Sequence, residues 1–260
     1  MQIISWNVAS IRARLPLLIE LLKEKHPDII FLQEIKTLSE TFPFAELQAH
    51  GYHSYINGQK GFNGVAILSK KPLQEIRTTL PGMESDEQAR FIQAGDEKNI
   101  YISVYVPNGN PALNNPTDTS RLTYKLNWMK SLNHYLKHLS TTEKSIILGG
   151  DFNVIARDED VYDAAAFTGN ALIIPQVRTL FREMEQTPLI NPLRICHPTE
   201  KIYSFWDFQM GAARRNLGIL LDYIFISPIF KSDLLESGIY TEYRYKQKPS
   251  DHAPIYIQLT

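Results

Sequence analysis

The stretch IISWNVASIRARLPLLIELLKEKHPDIIFLQE, residues 3–34, decides the fold class. It begins and ends with short apolar runs rich in isoleucine, which are typical of buried strands. Between these runs, Leu15, Leu18 and Leu22 recur at helical spacing, and Pro27 then interrupts the pattern. A strand, a helix and a second strand in this order indicate an α/β protein.

Further strands follow without helices between them, which favours antiparallel pairing. The strand candidates are residues 52–56, 64–68, 74–78, 89–94 and 100–106. A long amphipathic helix and the strand motif SIILGGDFNV (145–154) come next, and a second helix opens at Pro175. The late strand candidates are YSFWDF (203–208), LLDYIFIS (220–227) and PIYIQL (254–259). We predict a single α/β domain over residues 1–260, a four-layer sandwich of two packed mixed β-sheets flanked by helices.

Composition narrows the class of protein. Of the 260 residues, 43% are hydrophobic and 21% charged, as expected for a soluble globular chain. The net charge is −1, so nucleic-acid binding requires a local cluster of basic residues. Cys196 is the single cysteine, which excludes an internal disulfide and fits a reducing compartment. With no signal peptide or membrane span in the pattern, we expect a cytoplasmic monomer without membrane contact.

Polar side chains recur where apolar strands begin or end. They are Asn7, Glu34, Asp151, Asn153, Asp222, Asp251 and His252. A carboxylate beside a buried strand is costly unless it is paired, hydrogen-bonded or bound to a metal, so we expect these residues to converge on one rim of the sandwich. Their ligand atoms are mostly hard oxygens, which suit Mg²⁺ or Mn²⁺ better than Zn²⁺. Such a site is typical of enzymes that act on phosphate esters.

Six motifs occur along the chain in the order known from one enzyme family. They are WNV (6–8), LQEIK (32–36), YVPNG (105–109), GDFNV (150–154), LDYIF (221–225) and SDHAPI (250–255). The whole chain thereby resembles the exonuclease III family of AP endonucleases, within the endonuclease/exonuclease/phosphatase superfamily. The resemblance implies a Mg²⁺-dependent DNA phosphodiesterase of base-excision repair, with Mn²⁺ as an alternative ion. Such an enzyme cuts 5′ to abasic sites, degrades 3′ ends, or both, and leaves 3′-hydroxyl termini on double-stranded DNA with abasic sites or recessed or blocked 3′ ends.

The resemblance also implies the ligands of the metal ion. Glu34 is the principal ligand, assisted directly or through water by Asn7 and Asp251. Some family members bind a second ion, which adds three candidate ligands: Asp151, Asn153 and His252. Ala9 stands where the family usually has Asp or Asn, which removes one expected oxygen from the surroundings of the metal.

The catalytic roles follow from the same resemblance. Asp151 is the general base on the attacking water, and Asn153 orients that water or the transition state. Asp222 holds His252, which contacts the scissile phosphate, and Tyr105 supplies its phenol. A carboxylate beside a cation has a lowered pKa, which limits Asp151 as a base.

DNA contacts are implied for Asn108, Arg90, Phe205 and Trp206. Because neighbours in an extended segment face opposite ways, we expect one of the two aromatic residues to line the substrate pocket and the other to join the core. The bulky segment VYDAAAFTGNALII (161–174) replaces a more polar loop of the family. We expect it to narrow the pocket for a flipped sugar and to favour removal of 3′ nucleotides or 3′ blocking groups.

Two alternative functions differ from a DNA phosphodiesterase, the first in its substrate and the second in its class of protein. One is a superfamily enzyme acting on inositol phosphates or sphingomyelin, which the DNA-type motifs QEIK and FWDF disfavour. The other is a non-catalytic DNA-binding protein with the same fold, which the intact motif set disfavours. Release of phosphate from an inositol phosphate, or DNA binding without digestion in Mg²⁺, distinguishes them from a DNA nuclease.

Overall fold

The computed structural model describes residues 1–260. Its strands are β1 (Gln2–Asn7), β2 (Ile29–Gln33), β3 (His53–Asn57), β4 (Val65–Ser69), β5 (Gln74–Arg77), β6 (Phe91–Gly95), β7 (Asn99–Tyr105), β8 (Ser145–Asp151), β9 (Asp222–Ile226), β10 (Leu234–Ile239) and β11 (Ile255–Leu259). Its helices are α1 (Ile11–Lys25), α2 (Phe44–Gln48), α3 (Ser120–Leu139), α4 (Pro175–Glu185) and α5 (Pro192–Cys196). None of these helices combines the length and apolar composition that crossing a membrane requires.

The strands form two mixed sheets. One has the order β10-β11-β1-β2-β4-β3 and the other the order β5-β6-β7-β8-β9. Each sheet contains one parallel pair joined by a helix: β1 and β2 through α1, and β7 and β8 through α3. The remaining neighbours are antiparallel. The predicted sandwich of two mixed sheets with helices outside is confirmed.

Alternating side chains on the central strands create the layers. On β1, Ile3 belongs to a core of 40 buried residues that joins the two sheets and also includes α3 and α4, whereas Ile4 and Trp6 pack in a second cluster of 17 that includes the buried face of α1. On β2, Phe31 likewise belongs to the first of these two clusters and Leu32 to the second. Because both faces are buried, these strands appear in the sequence as continuous apolar runs.

Two late elements differ from the sequence prediction. YSFWDF (203–208) is not a strand: Phe205 makes only single bridges, to Ile219 before β9 and to His252 before β11. The segment therefore spans the gap between the sheets and does not extend either of them. Conversely, β10 was not predicted, because this edge strand exposes Leu235 and contains Gly238, which weakens its apolar pattern.

Candidate active site

The topology brings the strand-end polar residues to one rim. Asn7 ends β1 and Glu34 follows the parallel strand β2, so both lie at the same edge of the first sheet. Asp151 ends β8 directly opposite Asp222, which opens the antiparallel strand β9 of the second sheet. His252 precedes β11, which is antiparallel to β1. The candidate site therefore lies where the ends of the two sheets meet.

Asn7 connects the carboxylates of the two sheets. Its Nδ2 donates to Glu34 Oε1 at 2.8 Å and to Asp151 Oδ2 at 2.9 Å. Its Oδ1 accepts the backbone N–H of Ala9 at 3.0 Å, which defines the orientation of the amide. Asn7 thus turns N–H groups, not its oxygen, towards the carboxylates. In this arrangement Asn7 positions the two carboxylates, and its oxygen accepts the backbone N–H of Ala9.

Glu34 is a partly exposed anion at this rim. Burial opposes ionisation, but a 2.7 Å ion pair with Lys36 and the hydrogen bond from Asn7 lower the pKa of Glu34 below its ordinary value. Asp251, which directly precedes His252, is partly exposed, and its Oδ1 lies 3.2 Å from the hydroxyl of Ser250. The same hydroxyl donates to the Asn7 carbonyl at 2.7 Å, which connects Asp251 to the cluster.

Asp222 and His252 form a buried pair. Asp222 Oδ2 lies 2.8 Å from His252 Nδ1 and accepts the Ser204 hydroxyl at 2.5 Å. His252 Nε2 lies 3.7 Å from Asp151 Oδ2. Burial lowers the pKa of His252, but the nearby Asp222 and Asp151 carboxylates outweigh it and raise the pKa to about 10. The two carboxylates therefore favour the imidazolium over the neutral ring.

Asp151 is buried with its oxygens directed by neighbouring donors. Its Oδ1 accepts the backbone N–H of Asn153 at 2.9 Å, and its Oδ2 accepts Asn7. Burial raises the pKa of Asp151, His252 opposes the rise and Asp222 adds to it, which leaves the pKa at about 7. This value reflects the charges of the protein alone, and the lowered pKa of Asp151 beside a bound cation stays a prediction. A carboxylate that titrates near neutral pH is better matched to general-base work.

Asn153 and Asn108 are coupled through their amides. Asn153 Nδ2 donates to the Val106 carbonyl at 2.9 Å, and its Oδ1 accepts Asn108 Nδ2 at 3.2 Å. Asn153 has a φ of 50°, a left-handed conformation that asparagine tolerates better than most residues. Its backbone can therefore turn back towards Asp151. Asn108 itself is exposed at the surface.

Tyr105 and Arg90 form the wall beside Glu34. The Arg90 guanidinium lies 4.7 Å from the centre of the Tyr105 ring and donates to the Tyr105 carbonyl at 3.2 Å. Burial, together with Glu34 and Asp151, raises the pKa of Tyr105 well above its ordinary value, so the phenol remains protonated. Arg90 also lines a groove of about 620 Å³, and no carboxylate is among the side chains that line it.

Of the two predicted aromatic contacts, only Phe205 faces the site. Its ring centre lies 4.9 Å from that of His252, edge to face. Trp206 is 4% exposed, packs with Tyr203 and Ala253, and donates its indole N–H to Asn216 at 3.1 Å. A DNA contact by Trp206 is not compatible with this burial, because the extended chain turns adjacent side chains to opposite sides.

Two neighbours of the candidate site residues were not identified from the sequence. Lys36 pairs with Glu34, and Ser204 bonds Asp222. Lys36 belongs to the motif QEIK together with Glu34, and this shared motif was a signal that could have placed the two side chains near each other. Ser204 gave none, because a serine within YSFWDF is most simply interpreted as the polar side of a strand.

The donor set fits a hard divalent cation. Glu34 Oε1 and Asp151 Oδ2 are both within hydrogen-bond distance of Asn7 Nδ2, with Asp251 connected through Ser250. A second acidic group, Asp151 with Asp222 and His252, has ligand atoms within 4.8 Å of one another. Its Asp222–His252 contact of 2.8 Å is a hydrogen bond and leaves no room for an ion between the two.

The raised pKa of His252 predicts how stability depends on pH. Because the folded-state pKa of about 10 exceeds the ordinary 6.5, the folded protein binds this proton more tightly. The resulting stabilisation is complete below about pH 6.5 and is lost as the pH rises towards 10. In buffer with EDTA, wild type should be more stable than His252→Gln at pH 7. This difference in unfolding free energy should shrink by at least about 1 kcal/mol from pH 7 to pH 10. Urea denaturation measures this difference in unfolding free energy. A difference that stays constant from pH 7 to pH 10 would contradict the prediction.

This fold and this site define a class of protein: a hydrolase built on two packed mixed β-sheets, with an acidic rim backed by an Asp–His pair. Residues 4–252 match the model of the Endonuclease/Exonuclease/phosphatase family, and the chain belongs to that family. The exodeoxyribonuclease III of Haemophilus influenzae is 29% identical over 99% of both chains. The resemblance to exonuclease III is confirmed, and the chain is a phosphodiester hydrolase of this type.

Solved structures agree with this assignment. A 3′ phosphatase from Neisseria bound to a product DNA hairpin is 33% identical, with a TM-score of 0.95 over 100% of this chain and 99% of that one. An AP endonuclease from Archaeoglobus fulgidus is 32% identical, with a TM-score of 0.93 over 100% and 99%. The enzymes of this type depend on metal ions, and this chain has an acidic group that could hold one.

Proposed function

We propose that the chain is a Mg²⁺-dependent DNA phosphodiesterase of base-excision repair that hydrolyses the bond between phosphorus and a 3′ oxygen. The observation that carries the proposal is the buried Asp151, oriented by Asn7 and Asn153 and 3.7 Å from the imidazole that Asp222 holds. Similarity to DNA enzymes favours this substrate over inositol phosphates and sphingomyelin. One chain supplies every group of the proposed site and both sheets share one core, which supports residues 1–260 as a single catalytic domain. We propose that this domain acts as a monomer.

Asp151 is the general base. An in-line attack on phosphorus requires a water that loses its proton as the new bond forms. Asp151 Oδ1 and Oδ2 each accept one protein N–H, so the carboxylate is held at one angle and its remaining lone pairs are free for the water. The pKa of about 7 allows it to accept the proton without binding it permanently. Proton transfer at Asp151 is therefore the central step.

The other groups stabilise charge on the phosphate. His252, as an imidazolium, places a cation beside the phosphoryl oxygens, and Asp222 prevents its rotation. Tyr105 remains protonated and donates its O–H to the phosphate or to the leaving oxygen. Fixed donors of this kind act most strongly in a site from which water is largely excluded. The leaving group is the 3′ oxygen, which becomes the 3′-hydroxyl of the product.

Glu34 and Asp251 would hold the magnesium ion. When bound, such an ion neutralises phosphate charge and favours ionisation of water. Ala9 has no side-chain oxygen to contribute to this ion, and its backbone N–H is used to orient Asn7. The ligand set is thus smaller than the family pattern implies.

Two grooves next to the site are suited to the DNA backbone. The groove of about 620 Å³ contains Arg90 and Arg121 together with amide side chains. A second groove of about 320 Å³, near Asp251, contains Arg214 and Arg244, and Asp207 and Lys246, the latter paired with Glu20, also line it. These local cations compensate for the absence of a net positive charge.

The test is a comparison of three DNA substrates: an abasic duplex, a recessed 3′ end and a 3′-phosphate end. We expect Mg²⁺-dependent cleavage that leaves 3′-hydroxyl termini, and no turnover in EDTA. Mn²⁺ should restore activity after EDTA treatment. Release of phosphate from an inositol phosphate with no cleavage of any DNA would contradict the proposal.

The segment 161–174 supports a preference for 3′ ends over abasic sites. Leu172 is buried with Ile219 and Leu221, and Phe167 and Phe205 pack against the same cluster next to His252. These apolar side chains fill space beside the phosphate position, which leaves less room for a flipped sugar. We therefore place 3′ trimming above abasic incision.

This preference predicts an effect of enlarging the pocket. Phe167→Ala should raise the ratio of abasic incision to 3′ trimming by at least about threefold, or ~0.7 kcal/mol in relative barrier. The exposed neighbour variant Thr168→Ala is the matched control and should leave the ratio unchanged. Both rates are measured under single-turnover conditions on matched duplexes. Faster abasic incision than trimming by wild type would refute the preference.

A further inference from the structure

Lys125 is a fully buried lysine beneath the candidate site. It lies on α3 with 0% exposure, and its ammonium donates to three backbone carbonyls. The distances are 3.0 Å to Asn108, 2.6 Å to Asn153 and 3.1 Å to Ala171. All three N–H donors of the ammonium are therefore used, and no carboxylate forms an ion pair with it.

The three carbonyls belong to three separate segments that meet beside Asp151. One follows β7, the second follows β8, and the third is the segment 161–174. The segments also bond one another: the Ala171 N–H donates to Asn110 Oδ1 at 2.9 Å, and the Ile155 N–H donates to the Leu172 carbonyl at 2.8 Å. Lys125 is the single side chain that bonds all three.

The chain leaves space for this lysine at Gly109. A Cβ at residue 109 would lie 2.6 Å from Lys125 Cδ, and Gly109 has a φ of 85°. Glycine is therefore required both by the conformation and by the passage of the lysine stem. Burial lowers the pKa of Lys125 to about 7, whereas the three carbonyls that accept its N–H groups favour the charged form.

We infer that Lys125 is a positioning residue, which holds the Asn108–Asn153 pair and thereby the angle of the Asp151 carboxylate. The connection is short: Lys125 bonds the carbonyl of Asn153, whose N–H donates to Asp151 Oδ1. Without the ammonium, three buried carbonyls lose their donor, and the segments relax. A shift of about 1 Å in a catalytic group can reduce turnover by about 10²-fold.

This inference rests on the proposed DNA hydrolysis, so the experiment separates the two. Wild-type turnover of a recessed 3′ end tests the proposed function. Lys125→Met then tests the lysine: kcat should fall at least about tenfold and by more than KM rises, because the Asp151 carboxylate loses its angle whereas Arg90, Arg121 and the second groove keep their places. Lys125→Arg, which retains N–H donors, should recover most of kcat. Lys130→Met, an exposed lysine on the same helix, is the control and should match wild type.

Hydrogen exchange supplies a readout that does not require activity. Amides in residues 108–113, 153–156 and 170–173 should exchange faster in Lys125→Met, and those of α1 should not. If Lys125→Met does not fold, Lys125→Gln replaces it, with the same expectations. A folded Met or Gln variant with wild-type kcat, or with lowered thermal stability alone, would overturn the inference.

Discussion

Asp151→Asn should reduce kcat for hydrolysis of a recessed 3′ end by about 10³- to 10⁴-fold, near the upper range for loss of a general base. The asparagine has nearly the same shape, but it cannot accept the proton of the attacking water. DNA contacts in the two grooves do not involve residue 151, so the Kd for the duplex should change less than about threefold. Single-turnover cleavage in Mg²⁺ and fluorescence anisotropy measure these quantities.

The control for this variant is Asp163→Asn, an exposed carboxylate in the segment beside the site. It removes the same charge without touching the Asp151 network, and it should cleave at the wild-type rate. Loss of cleavage together with DNA binding would indicate a folding or binding defect. Retained turnover in a folded Asp151→Asn protein would remove the general base from the proposed mechanism.

His252→Asn should have a comparably large effect on activity and, in addition, a large effect on stability. The substitution removes the imidazolium beside the phosphate, and it leaves the carboxylate of Asp222, which is 0% exposed, without its cationic partner. Breaking a buried ion pair in this way costs about 3–5 kcal/mol. We therefore expect loss of turnover and a fall in unfolding free energy of that size at pH 7.

A double variant separates the two effects. In His252→Asn combined with Asp222→Asn, the buried charge is absent, so much of the lost stability should return while turnover remains lost. Urea denaturation in EDTA and single-turnover assays measure both. If the double variant is as unstable as His252→Asn alone, the instability does not come from an unpaired Asp222. If His252→Asn still cleaves DNA, the phosphate does not need the imidazolium.

The fold was largely predictable because its central strands are buried on both faces. The runs around Ile3 and Phe31 are apolar on both faces, so they indicate strands whichever neighbouring strands pair with them. The helical spacing of Leu18 and Leu22 places α1 between these two strands. The edge strand β10 was missed because one of its faces is in solvent, so its sequence need not be apolar. The segment around Phe205 was assigned as a strand because local patterns do not reveal whether a sheet edge is available.

The site was predictable as a set of residue types, and less so as a set of roles. Asp151, Asp222 and His252 converge as the strand ends imply. The orientation of Asn7 depends on the N–H of Ala9, and the pKa of Asp151 depends on burial between the sheets. Neither is encoded in the spacing of the motifs.

The sequence alone determined which chemistry is available: hard oxygen donors and one imidazole at the ends of apolar strands, in the order of a known family. Only the tertiary structure decided which of these groups face one another. It turned Phe205 towards His252 and Trp206 into the core, and it placed Lys125 under three carbonyls from distant segments. The physical reason is that propensity and periodicity act over a few residues, whereas burial, charge pairing and hydrogen bonding depend on what the fold brings near.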